Sequence, residues 1–179
     1  SESDLNEERV ALFIPASKDY VTTLHGIWRA GGIAVPLNVA SAVTELDHYL
    51  KSANVTRMIA SGKYKESLKE LCSELGVELI DAQEILNRSQ HKDLPAIDQS
   101  RRAMMLFTSG TTSKPKGVVS THAIISSQIT TLIDAWEWTS SDVVPLFLPL
   151  HHIHGIINIL SCGLWSGATI DLYQKPRTH

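Results

Sequence analysis

The chain has 179 residues and a formal net charge of −3, which argues against the basic face that nucleic-acid binding usually requires. Hydrophobic residues make up 43% of the sequence and charged residues 20%, as in ordinary globular domains. No apolar run approaches the length of a membrane span, and no signal peptide is visible. Because the chain begins at Ser1 without Met, a leader removed from it would not be seen. The length predicts one domain with a real core, and the expected location is intracellular, mitochondrial or cytoplasmic.

Strand and helix patterns alternate from the start of the sequence. An apolar strand ends at Pro15, and Ser17 is placed to cap a helix that stops at the pair Gly31 and Gly32. Thr44 begins a TxxD capping pattern, which predicts that the second helix starts there. Helical stripes occur at 21–28, 46–53, 64–75, 125–136 and 156–165, and strands are expected at 9–14, 33–35, 55–60, 77–80, 103–107, 117–120, 142–148 and 168–173.

This alternation predicts an α/β fold with a mostly parallel sheet and helices on both faces. Ligands of such sheets bind beyond the carboxyl ends of the strands. The loops after Phe107 and Leu148 both follow strands, so they can lie on one edge and face one site. Residues 87–102 are polar and irregular, which is typical of a surface loop or a linker. Cys72 and Cys162 lie in apolar helical patterns that favour buried free thiols over a disulfide or a nucleophile.

Residues 105–117, with the sequence MLFTSGTTSKPKG, join a buried strand to a loop of small hydroxyl residues. Small side chains let backbone N–H groups turn towards one point, and Lys114 and Lys116 add positive charge, which suits a polyphosphate. The motif is not a Walker A loop, because Lys116 precedes Gly117, and no GxGxxG sequence occurs. On residue types alone, an ordinary polar surface loop is the alternative interpretation.

His151, His152 and His154 lie close together between Pro149 and Gly155. A metal site would need three ligands that point inward, and no second cluster of Cys, His, Asp or Glu at metal-ligand spacing supports one. Structural histidines are the other alternative. Three imidazoles at the end of a strand, on the expected ligand edge, favour a functional role.

The order of residues in the hydroxyl loop carries more information than its composition. TSGTTSKPKG, residues 108–117, closely resembles the phosphate-binding signature of the adenylate-forming superfamily, which includes acyl-CoA synthetases, luciferases and peptide-synthetase adenylation domains. LPLHHIHG, residues 148–155, resembles the second core motif of acyl-CoA synthetases, and residues 28–38 resemble an early structural motif. The resemblance extends over about residues 9–173, and the malonyl-CoA synthetase type matches best. The family loop usually has glycine where this chain has Ser113, which costs on the order of 1 kcal/mol if the position needs positive φ.

The resemblance implies a two-step reaction. A substrate carboxylate attacks the α-phosphorus of ATP to give an acyl-adenylate, and the thiol of coenzyme A then displaces AMP. Lys116 and His152 would be catalytic, with His152 beside the carboxylate. The residues implied to bind the phosphates are Thr108, Ser109, Gly110, Thr111, Thr112, Lys114 and Lys116, and those implied to bind the acid are His152, His154 and Gly155.

The implied substrate is a short dicarboxylic acid, malonate or methylmalonate. A chargeable side chain at His154 suits an acid with a polar far end better than a long alkyl chain. The alternatives are an oxalyl-CoA or fatty-acyl-CoA synthetase, and a truncated, non-catalytic nucleotide-binding domain.

Several parts of the family pattern are not found in this sequence. They are the YGxTE-type motif for adenine and Mg²⁺, the ribose-binding Asp motif, and the hinge with its C-terminal lysine. We therefore expect residues 1–179 to form part of a single AMP-binding domain, the large N-terminal domain of an adenylate-forming enzyme, with the C-terminal domain absent and the segment inactive alone. ATP, Mg²⁺ and coenzyme A would act with it, and no metal ligand is identifiable in the segment.

Overall fold

A computed structural model describes residues 4–87, 93–108 and 114–173. The strands are β1 Arg9–Phe13, β2 Ile33–Pro36, β3 Arg57–Ala60, β4 Glu78–Asp81, β5 Arg102–Thr108, β6 Lys116–Thr121, β7 Val143–Leu146 and β8 Thr169–Leu172. The helices are α1 Lys18–Arg29, α2 Val43–Ser52, α3 Gly62–Leu75, α4 Ala82–Leu86, α5 His122–Trp136, a π-helix at His154–Ser161 and α6 Cys162–Ser166.

Six strands form one sheet in the order β4-β3-β1-β2-β5-β6. The first five are parallel, and β6 runs antiparallel to β5 as the second strand of a hairpin. Strands β7 and β8 form a separate parallel pair. The expectation of an α/β fold with a mostly parallel sheet is confirmed, and the carboxyl ends of β1 to β5 meet at one edge of it.

The two faces of the large sheet carry separate apolar clusters. Val10 and Leu12 of β1 belong to the cluster that includes α1, α5 and the π-helix. Ala11 and Phe13 belong to the cluster that includes α2 and α3. Because alternate residues of a strand point to opposite faces, this division confirms that helices cover both sides of the sheet.

Local capping explains where the first two helices begin. The Ser17 hydroxyl accepts a hydrogen bond from the Tyr20 N–H at 3.2 Å, as the sequence predicts. The predicted start at Thr44 is wrong. Helix α2 begins at Val43 instead, because the Glu45 carboxylate accepts a hydrogen bond from the Ala42 N–H at 2.9 Å.

The region between β4 and β5 was expected to be irregular from residue 87. Residues 93–101 contain no helix or strand, in agreement with that expectation, and residues 88–92 lie outside the described residues. The short helix α4 before it was not predicted. The Asp81 side chain caps α4 by accepting a hydrogen bond from the Gln83 N–H at 2.9 Å.

The helix expected at 156–165 begins earlier, at His154, and is π-helical as far as Ser161. The Ser161 hydroxyl donates to the Ile156 carbonyl at 2.7 Å. The amide of Gln128 on α5 donates to the Asn158 side chain at 2.7 Å. These bonds tie the wide π-helical turns to themselves and to α5, and π-turns inside helices are frequent at functional sites.

Candidate active site

A cavity of about 810 Å³ opens at the carboxyl edge of the large sheet. Its wall is built by segments that follow β1, β2, β3, β7 and β8, so the small strand pair faces the same space as the large sheet. The residues that line it are Ile14, Pro15, Ala16, Leu37, Asn38, Val39, Ala40, Lys63, Tyr64, Phe147, Leu148, Pro149, Leu150, His151 and Tyr173. This is the edge at which a ligand site is expected in an open α/β sheet.

The three histidines of the HHIHG segment have different surroundings. His151 is half-buried and lines the cavity. His152 and His154 are exposed and are not among the described residues that line it. The geometry therefore brings His151, which the family resemblance gave no role, to the cavity wall.

The backbone around His151 is fixed from two sides. The buried Tyr20 hydroxyl donates to the Leu150 carbonyl at 2.6 Å, and the His152 N–H donates to the Pro149 carbonyl at 3.3 Å. The first bond holds the peptide before His151 against α1, and the second closes a local turn around it. Burial raises the pKa of Tyr20 far above its usual value, so the hydroxyl stays a donor at any physiological pH.

Gly155 is buried at the start of the π-helix, where the chain passes close to its own preceding turn. A Cβ at this position would overlap the carbonyl oxygen of Pro149 and would lie 3.3 Å from the carbonyl oxygen of Leu148. The glycine is therefore needed for close approach of two backbone segments. This close approach fixes where the histidine segment enters the π-helix.

The charge state of His151 follows from its position. Burial, together with the neighbouring His152, lowers the pKa of His151 to about 4, and the two rings lie 4.2 Å apart. At neutral pH the imidazole is uncharged, so it offers one donor and one acceptor to a ligand. The cation on the same cavity wall is Lys63, whose Nζ lies 4.8 Å from the centre of the Tyr64 ring.

The expected phosphate-binding residues lie on the β5–β6 hairpin. Thr108 is the last residue of β5 and pairs in register with Lys116, the first residue of β6. Lys114 and Lys116 are exposed. Because β5 is parallel to β2, Thr108 lies on the same sheet edge as the cavity. Ser109, Gly110, Thr111 and Thr112, with Ser113, lie outside the described residues.

Helix α2 contacts both flanks of this hairpin. The His48 Nε2 lies 3.0 Å from the Pro115 carbonyl oxygen, and the Tyr49 ring packs on the Phe107 ring with 4.4 Å between centroids. The sequence gives no signal for the first contact, because its partners are 67 residues apart. The Tyr49 position is foreseeable only as part of an apolar helical stripe.

The two cysteine thiols of the chain are unreactive. Cys72 and Cys162 are buried and free, as expected. Burial raises the pKa of both thiols, that of Cys162 to about 11, so neither is a reactive thiolate.

Within the described ranges no group of three or more His, Cys, Asp or Glu side chains could hold a metal ion. Over those ranges too, every helix is too short or too polar to span a bilayer.

Comparison with known proteins places this arrangement in a family. Residues 5–179 match the family described as AMP-binding enzyme. The chain belongs to that family. Among its relatives, the mitochondrial malonate–CoA ligase of Homo sapiens is 38% identical over 172 residues, which are 93% of this chain and 30% of that protein. The Xenopus laevis counterpart is 36% identical over 96% of this chain, and an oxalate–CoA ligase of Arabidopsis thaliana is 30% identical over 94%.

Solved structures agree on the fold of this AMP-binding enzyme chain. The apo structure of MatB from Rhodopseudomonas palustris superimposes with a TM-score of 0.84 at 23% identity, covering 93% of this chain and 35% of that one. MenE from Bacillus subtilis, an O-succinylbenzoate coenzyme A synthetase in complex with AMP, gives 0.83 at 24% identity, covering 94% and 44%. The chain thus spans about a third of the length of the curated relatives it matches.

Proposed function

We propose that this chain provides the ATP-phosphate and acid-binding portion of an acyl-CoA synthetase that acts on a short dicarboxylic acid, malonate or methylmalonate. The observation that supports this most is the shared sheet edge. The cavity with His151 on its wall and the end of strand β5 at Thr108 both lie at the carboxyl ends of the parallel strands. The malonate–CoA ligases among the relatives point to the same substrate class.

In the proposed first step, a carboxylate oxygen of the acid forms a bond to the α-phosphorus of ATP. The bond from that phosphorus to the oxygen bridging to the β-phosphorus breaks, and pyrophosphate leaves. We assign stabilisation of the developing negative charge to Lys116, the catalytic group on the phosphate side, supported by Lys114 and residues 108–112. Lys116 is exposed at the start of β6, so its ammonium group can reach a bound phosphate.

The acid is proposed to lie along the histidine segment. His152 positions the reacting carboxylate, while His154 and Gly155 belong to the acid pocket. A second carboxylate without a partner would be strongly disfavoured in an apolar cavity. His151 and Lys63 on the cavity wall supply a hydrogen-bonding group and a cation for it.

In the second step the thiol of coenzyme A loses its proton to solvent and its sulfur forms a bond to the acyl carbonyl carbon, while AMP leaves with the electron pair of the broken C–O bond. Coenzyme A is a co-substrate, and its contacts are not assigned to this chain. ATP would enter as its Mg²⁺ complex, in which the cation neutralises phosphate charge. The described residues provide no cluster for that ion, so no ligand is assigned. We also propose a mitochondrial or cytoplasmic location, which the mitochondrial human relative supports.

The substrate class can be tested with the natural polypeptide that carries this chain. Pyrophosphate release would be measured with malonate, methylmalonate, oxalate, acetate and octanoate. We expect malonate or methylmalonate to give the highest kcat/KM. His154→Phe should lower malonate activity, and His154→Gln, which keeps a donor, should lower it less. Preference for octanoate, or full malonate activity in His154→Phe, would contradict the proposed pocket. Oxalate preference would favour the oxalyl-CoA alternative, and no release with any acid would favour a non-catalytic domain.

A further inference from the structure

The contact between His48 and Pro115 joins the α2 helix to the segment that leads into Lys116. The His48 Nε2 atom is 3.0 Å from the Pro115 carbonyl oxygen, and the contact is partly buried. A carbonyl oxygen can only accept, so the Nε2 atom carries the proton. The other ring nitrogen, Nδ1, lies 3.3 Å from the Ser52 hydroxyl. Both ring nitrogens of His48 therefore have a hydrogen-bond partner.

The Pro115 carbonyl belongs to the peptide group that also contains the Lys116 N–H. A peptide group is planar, so a hydrogen bond to the carbonyl orients the backbone from which the Lys116 side chain departs. Pro115 itself cannot donate a backbone hydrogen bond. Antiparallel pairing with Thr108 places Lys116 in the ladder between β5 and β6. The bond from His48 adds a constraint from outside the hairpin.

A second contact of the same helix holds the other flank of the hairpin. The Tyr49 ring packs on Phe107, one residue before Thr108, with 4.4 Å between ring centroids. The His48 ring lies 6.3 Å from the same Phe107 ring. Two consecutive residues of α2 therefore contact the strand before the loop and the residue that leads into the strand after it.

We infer that His48 is a positioning residue for phosphate binding: its Nε2–H holds the Pro115–Lys116 peptide so that Lys116 faces the nucleotide phosphates. The inference rests on the proposed function, because it requires that Lys116 contacts phosphate. It assigns a role to α2, a helix that lies on the opposite sheet face from the histidine segment. His48 acts through Lys116 and does not need to touch the substrate.

Two replacements separate the hydrogen bond from ring packing. His48→Phe keeps a ring against Phe107 but has no donor. His48→Gln loses the ring but places an amide N–H at a similar distance from the backbone as Nε2. Binding of MgATP and of malonate would be measured by titration calorimetry on the natural polypeptide that carries this chain, together with thermal unfolding and the kcat and KM for each substrate.

We expect His48→Phe to weaken MgATP binding about 5-fold, the change that one lost hydrogen bond of about 1 kcal/mol produces. Malonate binding should stay unchanged, and the unfolding temperature should fall only by the small amount that one lost, partly buried hydrogen bond produces. His48→Gln should bind MgATP within about twofold of the parent. A merely structural role would instead weaken the binding of both ligands together, and that result would overturn the inference.

Lys116→Ala distinguishes this inference from the function on which it rests. If Lys116→Ala weakens MgATP use and His48→Phe does not, the positioning role is wrong while the proposed phosphate site stands. If neither variant changes MgATP binding or turnover, the proposed function of the hairpin fails, and the role of His48 fails with it. Loss of MgATP binding in His48→Gln but not in His48→Phe would show that the ring, and not the donor, matters, which also contradicts the inference. Equal loss in both variants would show that a donor alone does not restore binding, and it contradicts the inference as well.

Discussion

The two segments proposed to bind substrate differ in how they are held. The β5–β6 hairpin presents exposed lysines, Lys114 and Lys116, and is held from outside by the side chains of α2. The segment 148–155 is held from within, by the buried Tyr20 hydroxyl and by a glycine that touches its own preceding turn. The end of strand β5 and the histidine segment both lie at the carboxyl edge of the large sheet.

This difference predicts how each segment responds to substitution. Exposed charges contribute little to folding, so changes on the hairpin should alter chemistry and leave stability unchanged. Buried groups of the histidine segment stabilise the fold and also position the site. Changes there should therefore alter both folding stability and activity. Four substitutions or titrations examine this contrast, and they are ordered from the largest expected effect to the smallest.

The largest effect is expected for Lys116→Ala. Loss of a charge-stabilising group should raise the barrier of adenylation by about 2–4 kcal/mol, while the unfolding temperature stays unchanged because the side chain is exposed. Pyrophosphate release in single turnovers measures the first quantity and calorimetry the second. Lys69→Ala, at an exposed lysine of α3 that pairs with Glu66, is the control and should change neither. A normal rate with a large loss of stability would reverse the proposed contrast.

Gly155→Ala should act mainly on folding. The added methyl would overlap the Pro149 carbonyl oxygen, and overpacking against backbone should lower the free energy of unfolding by about 2–3 kcal/mol. Chemical denaturation measures the change. Gly26→Ala is the matched control, because a Cβ there meets nothing within 4 Å and should stabilise α1 by about 0.5–1 kcal/mol. Equal stability of Gly155→Ala and the parent would show that the close approach is not needed.

Tyr20→Phe should have a smaller effect on both properties. It removes the donor from the buried Leu150 carbonyl, which costs about 1–2 kcal/mol of folding free energy. It should also raise the KM for the acid without changing the KM for ATP, because the Leu150 carbonyl belongs to the peptide group that leads into His151. Thr22→Val, which removes an exposed hydroxyl that donates to the Lys18 carbonyl within α1, controls for loss of a hydroxyl. A raised KM for ATP alone would show that Tyr20 supports the β5–β6 hairpin and not the histidine segment.

The smallest expected effect is the uptake of protons by His151 when malonate binds. The pKa of His151 is about 4 in the free chain, and a bound carboxylate nearby would raise it by favouring the charged form. Because the bound pKa is then higher than the free one, malonate binding takes up a fraction of a proton as the pH falls from 6 towards 4. Calorimetry in buffers of different ionisation enthalpy measures that uptake. Malonate also takes up protons itself, so the same uptake is measured for His151→Asn and subtracted from that of the parent. A difference of zero would place malonate away from His151.

The sequence predicts most of the fold because local signals and long-range packing agree there. Ser17 caps α1, Gly76 ends α3 with a left-handed φ of 64°, and alternating apolar residues of β1 divide between the two faces. The start of α2 was missed because its cap uses the backbone of Ala42 and the side chain of Glu45, and Thr44 only imitates a capping residue.

The site was less predictable, because its geometry depends on long-range contacts. The phosphate motif at 108–117 is recognisable as a string of residues, but the support from His48 is not. An apolar run such as 156–165 is compatible with an α-helix or a π-helix, and the choice follows from bonds such as that of Ser161 to Ile156. Sequence order also cannot show which of three adjacent histidines points into a cavity. The structure brings His151 there and leaves His152 and His154 exposed.

The most direct test of the account is a crystal structure of the natural polypeptide that carries this chain, with a non-hydrolysable malonyl-adenylate analogue and pyrophosphate. We expect a phosphate oxygen within about 3 Å of the Lys116 Nζ, and the malonyl group in the cavity that His151 and Lys63 line. The account is contradicted if the malonyl group binds outside that cavity, or if Lys116 points into solvent while another segment holds the phosphates.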